Sequence, residues 1–138
     1  MRLRMKLSNA ARILVADIAL YIVLAFLLTP AGQLETRNAA KVTVLGVVTL
    51  VLFFVGIFAS IVALVLLFRR SSRAPLLAVI AGGLYFPVML ADQTGSFSSL
   101  RPPAAIAAIE WVEAIVALAA IGAGVWIFRE DDARSATR

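Results

Sequence analysis

Apolar residues run almost unbroken through four stretches of the chain, at positions 13–28, 42–68, 74–91 and 104–128, with polar and charged residues gathered between them. The stretches are hydrophobic around the whole helix circumference rather than along one stripe, the pattern of helices solvated by lipid. A helix needs about 20 mostly apolar residues to cross a hydrocarbon layer about 30 Å thick. The second stretch, 27 residues without a charge, is long enough to span with tilt. The third has 18 and extends through uncharged polar residues beyond Asp92. The first spans with the help of its flanks and accommodates Asp17, and the fourth is long enough with Glu110 and Glu113 inside it. The pattern predicts an all-α integral membrane protein: a single domain over 1–138 forming a four-helix transmembrane bundle. Its helices are expected near 12–30, 42–68, 74–92 and 104–128, followed by a loosely ordered charged tail at 129–138.

Local breakers set the connections. Pro30 and Gly32 end the first helix, and an outer loop runs to about Lys41. The turn Arg69-Arg70-Ser71-Ser72-Arg73 is tight, so the second and third helices are expected to be antiparallel neighbours. Pro75 suits the first turn of the third helix, whereas Pro87 is expected to kink that helix or end it early. Gly46 and Gly56 lie near one face of the second helix, where another subunit's helix can approach closely.

Composition agrees with a lipid environment: 62% of residues are hydrophobic and the mean hydropathy is +0.99. The net charge of +5 raises the question of nucleic acid, but the distribution answers it differently. With a cytoplasmic amino terminus, ten Lys and Arg residues fall on the inner side and only Arg37, Lys41 and Arg101 on the outer. Such a bias orients membrane helices, positive side inward. The expected threading is up-down with both termini cytoplasmic, in the cell membrane of a prokaryote, with lipid and not nucleic acid as the partner. Arg2, Arg4 and Lys6 before an apolar run and Thr29-Pro30-Ala31 also fit a cleaved secretory leader, which would leave three spans. Asp17 within that run, and its length, favour a retained helix.

The chain has no cysteine and no histidine. That excludes disulfides, Cys/His zinc sites, His-ligated haem and catalytic triads built on His. No phosphate-binding glycine loop stands out either. The expectation is a non-enzyme with no cofactor and no metal.

Acidic residues inside membrane helices are the costly and informative ones, at about 2.5–3.5 kcal/mol each at a helix centre by insertion scales. Glu110 and Glu113 share a helix face that continues through the small residues Ala117, Ala120 and Gly124, so Glu113 is expected to point into the bundle. Trp111 and Trp126 bracket about 22 Å of helix, which fits two interfacial belts and puts Glu110 at the outer one. Asp92 is expected nearby, giving an outward acidic pocket with Arg101 as its partner and Arg37 or Lys41 as alternatives. Asp17 is expected just below the inner headgroups, bridged to Arg69, Arg70, Arg73 or Arg129, with the Tyr21 hydroxyl one turn on. Tyr85 lies in an aromatic segment after Gly82-Gly83 that is capable of lining a cavity, although packing is the commoner use of such residues.

An acidic residue in the first of four helices is similar to the arrangement in small multidrug transporters; the likeness covers Asp17 and the helix count, and no family assignment follows from it. Two functions are expected. The first is an accessory or interaction subunit of a membrane assembly, bound to another membrane protein. The alternative is a small homo-oligomeric transporter or channel in which Glu113, Glu110, Asp92 and Asp17 couple protons or cations, supported by Tyr21, Tyr85 and Arg101.

Overall fold

The computed structural model describes the backbone of residues 2–27, 32, 35–37 and 42–135, and the side chains of 9–27, 32, 35–37 and 42–129. The expected helix end at Pro30 and the loop residue Lys41 lie outside the described residues. The chain is all-helical: α1 (Arg2–Leu27), α2 (Val44–Phe68), α3 (Ala74–Gln93) and α4 (Ala104–Ser135). Each contains a segment long and apolar enough to cross a membrane, at Asn9–Leu27, Val44–Phe68, Ala74–Gln93 and Ala104–Arg129, the make-up of a multi-pass membrane protein.

The helices pack in a ring in which α1 and α3 each contact both α2 and α4. The inward residues of α2 are Gly46, Thr49, Phe53, Gly56, Ser60, Ala63 and Leu67. Their alternating three- and four-residue spacing is the register of coiled-coil packing, which keeps one seam toward the neighbours along the whole helix. Ala10, Leu14, Asp17, Tyr21 and Leu24 repeat that register in α1, and Ile106, Glu110, Glu113, Ala117, Ala120 and Gly124 in α4. The acids therefore occupy core positions. Large apolar side chains such as Phe54, Phe58 and Ile115 face outward, as lipid solvation allows.

Small residues bring α3 and α4 together. A Cβ on Gly82 would lie 2.6 Å from the Ala117 carbonyl oxygen, and one on Gly124 would lie 2.6 Å from that of Pro75. The Ala117–Gly124 stripe is thus an internal seam. Gly46 and Gly56 also face inward, against the Phe97 carbonyl and the Tyr21 hydroxyl, rather than toward another subunit.

Helix ends differ from expectation in two places. α3 runs through Pro87 to Gln93 instead of ending early. α4 continues to Ser135 into the expected loose tail, because Glu130, Asp131, Asp132, Ala133 and Arg134 include no Gly or Pro to stop it. The α2–α3 turn is tight as expected. Ser71 N–H donates to Leu66 O at 2.9 Å and Arg70 N–H to Leu67 O at 3.1 Å, with Arg70 at φ 52°. These two bonds around a left-handed residue form a Schellman cap, with arginine where glycine is usual.

Candidate functional site

The interior of the bundle holds polar residues at two levels, separated by aromatic rings. At the first level Asp17 (α1), Ser60 (α2) and Glu113 (α4) meet with no solvent exposure. Ser60 Oγ donates to Asp17 Oδ2 at 2.5 Å. Glu113 lies close enough to Asp17 for the two carboxyl groups to interact. Among the described residues no donor reaches Asp17 Oδ1, either carboxyl oxygen of Glu113, or the Tyr21 hydroxyl.

This placement corrects the expectation for Asp17. Its neighbours are a hydroxyl and a second acid rather than an arginine. Arg12, Arg69, Arg70 and Arg129 are exposed. Among the described residues the ion pairs involve Arg37 with Glu35 and Asp92, and none reaches Asp17 or Glu113.

The aromatic layer follows one turn along α1. The Tyr21 ring stands edge-on to Phe53 at 5.1 Å and to Tyr85 at 5.5 Å between centroids. Edge-to-face pairs of this kind stabilise by about 0.5–1.5 kcal/mol beyond their buried area. Gly56 makes room for the Tyr21 hydroxyl: a Cβ there would lie 2.6 Å from it. Tyr85 donates its hydroxyl to the Glu110 carbonyl oxygen at 3.0 Å, tying α3 to α4.

Beyond the rings lies the second level. A pocket lined by Leu24, Thr49, Phe53, Tyr85, Asp92 and Glu110 encloses about 20 Å³ of free space, enough for a water molecule. Gln93 Nε2 donates to Glu110 Oε2 at 2.6 Å, and Glu110 lies beside Asp92. Arg37 closes this end. Its guanidinium pairs with Asp92, donates to Glu35 at 2.7 and 2.8 Å, and stacks over the Phe97 ring at 5.5 Å. Burial acts to raise the Glu35 carboxyl, but the Arg37 hydrogen bonds outweigh it and hold the group below the ordinary glutamate range. Arg37 in turn is held more firmly protonated against the opposing effect of burial.

Of the expected acidic cluster, Asp92 and Glu110 come together without Glu113, which meets Asp17 instead, and the partner is Arg37, the alternative, while Arg101 is exposed. Thr43 adds a second tie to the same loop. It caps α2 by accepting from Gly46 N–H at 2.9 Å, and donates its hydroxyl to Ser96 O at 2.6 Å. Ser60 is the residue that the sequence pattern left unnoticed. In a helix as apolar as α2, the scattered small and polar residues mark the inward face, and that signal would have found it.

A family model described as Domain of unknown function matches residues 10–138. The chain belongs to the DUF8051 family. The DUF8051 match takes in both levels of the polar interior, from Asp17 to Glu113. No curated protein and no solved structure matches the chain.

Proposed function

We propose that this protein is a small transporter or channel for protons or small cations, with Asp17 and Glu113 as its coupling groups. One observation carries this: two fully buried carboxyl groups from α1 and α4 face each other, with no basic side chain beside them among the described residues. Ionisable groups of this kind inside a membrane are expensive, and a function in moving charge is the default explanation. The outer pocket at Glu110 and Asp92 supplies a polar approach from one end, closed by Arg37.

The threading goes with this role. The skew of Lys and Arg favours both termini on the cytoplasmic side. Packing of Asp17 against Ser60 and of Tyr21 against Phe53 is what antiparallel α1 and α2 would give, and supports an up-down bundle. A prokaryotic plasma membrane is the proposed location.

The test is flux into vesicles containing the purified protein. Glu113→Gln is expected to abolish proton or cation flux while the protein still folds and assembles. Equal flux from the variant would remove the coupling role.

A second role, as a self-associating or accessory subunit, is favoured by Gly83 and Gly122. Both face outward with nothing within 4 Å of an added Cβ, an open backbone on which another helix can pack closely. Purification from native membranes in mild detergent separates the two: a partner retained at near-equal stoichiometry supports the subunit role, and a defined oligomer of this chain alone supports autonomous transport.

A further inference from the structure

The buried oxygens constrain what the first level can hold. Ser60 Oγ–H points at Asp17 Oδ2, so the serine uses Asp17 as an acceptor. Asp17 Oδ1 and both Glu113 oxygens are left without a donor, and all three are enclosed by protein. Two bare carboxylates this close repel strongly where water is excluded. A proton on Glu113 turns one of these acceptors into a donor for which Asp17 Oδ1 is a free acceptor, so a single added atom serves both residues.

Among the described residues the surroundings offer no other source of balance. α1 contributes Asp17 and Tyr21, α2 contributes Ser60, α3 contributes Tyr85, and α4 contributes Glu113 with Glu110 one turn away. None is a cation. The Tyr21 hydroxyl, set against Gly56, is likewise fully buried without a partner and lies within electrostatic reach of both carboxyl groups. Among the described residues there is no group of three or more acidic, His or Cys side chains to hold a metal ion. Hard cations take six or more oxygens, whereas a proton needs two.

We propose that Asp17 and Glu113 form a proton-binding site in which the Glu113 carboxyl donates to Asp17 Oδ1, Ser60 fixes Asp17 as the acceptor, and Tyr21 closes the site. This names the proton as the species for the transport role above, and rests on that role only for its physiological use. The proton comes from water and returns to water, and no further reactant takes part. Its loss leaves two facing carboxylates, which push α1 from α4.

Infrared spectroscopy of the whole protein in lipid vesicles at neutral pH tests the site directly. The expected result is a protonated-carboxyl carbonyl band that moves in deuterium oxide. It should persist in Glu110→Gln, shift in Ser60→Ala, and disappear in the double variant Asp17→Asn/Glu113→Gln. Absence of the band from the wild-type protein, or its survival in the double variant, overturns the proposal. If the double variant does not fold, the Ser60→Ala spectrum decides: an unshifted band counts against the site. Titration with sodium or potassium chloride should leave the band in place, and its loss would assign the site to a metal cation instead. Flux is read separately. A band that behaves as expected without flux refutes the transport role and leaves the proton site standing. Flux without the band does the reverse.

Discussion

Gly56 and Tyr21 fit together across α1 and α2 so closely that a methyl group on Gly56 would lie 2.6 Å from the tyrosine oxygen. The ring cannot swing away freely, since Phe53 and Tyr85 hold it edge-on from two sides. Gly56→Ala is therefore expected to destabilise the protein by about 1–3 kcal/mol, the usual range for overpacking a filled core. Unfolding in mixed micelles measures this, and an unchanged midpoint would show that the aromatic layer is soft.

The two adjacent glycines of α3 should respond in opposite directions. Gly82→Ala drives a methyl group toward the Ala117 carbonyl, a backbone atom that cannot step aside, so α3 and α4 must separate. A loss of at least about 2 kcal/mol is expected. Gly83→Ala meets nothing and gains helix propensity, so a monomer should be stabilised by up to about 1 kcal/mol. If Gly83→Ala instead breaks up an oligomer on size exclusion, that face is an interface.

The four spans were legible because lipid demands long apolar runs, and Ala117, Ala120 and Gly124 were legible as a seam because small residues on one face have few other uses there. The inward direction of Glu113 followed from the same stripe. Its apposition to Asp17 did not, since most of the chain separates them and nothing local reports which helices become neighbours. The partner of Asp17 was missed as well: an arginine from a neighbouring helix end was expected, whereas Ser60 of α2 reaches it. Arg37 won Asp92 over Arg101 because of where the loop folds, which no spacing encodes.

The Glu35–Arg37 contact makes the closure at the Asp92 end sensitive to acid. Glu35 is held below its ordinary value of 4.5 in the folded protein. A depressed carboxyl contributes stability that is fully present above its unfolded value and is lost as pH falls through the folded one. The tie between this loop and α3 should thus be intact at neutral pH and weaken only below about pH 4, the ordinary carboxylate range. Hydrogen exchange at the Thr43 amide, which donates to Phe97 O at 3.1 Å in the same loop contact, is the readout. Arg37→Gln should speed that exchange already at neutral pH, and equal rates in the two proteins would show that the guanidinium does not hold the loop.

Arg70 holds the left-handed position of the α2–α3 turn at φ 52°, a conformation that costs a side-chain-bearing residue about 1 kcal/mol. Arg70→Gly removes that strain but gives the unfolded chain more freedom, so a net gain of about 0.5 kcal/mol is expected. Thermal unfolding checks the sign. A loss of stability would mean that the arginine side chain contributes more than its backbone strain takes away.

The Asp17–Ser60–Glu113 contact also bears on how the protein is made. A ribosome delivers α1 first, so Asp17 enters the membrane before its hydroxyl partner, 43 residues further on, and long before Glu113. A chain arrested ahead of α4 leaves an acid unmatched in lipid, which is the kind of lesion that membrane chaperones and proteases engage. The polar core is thus assembled last, complete only when α4 has docked against α1.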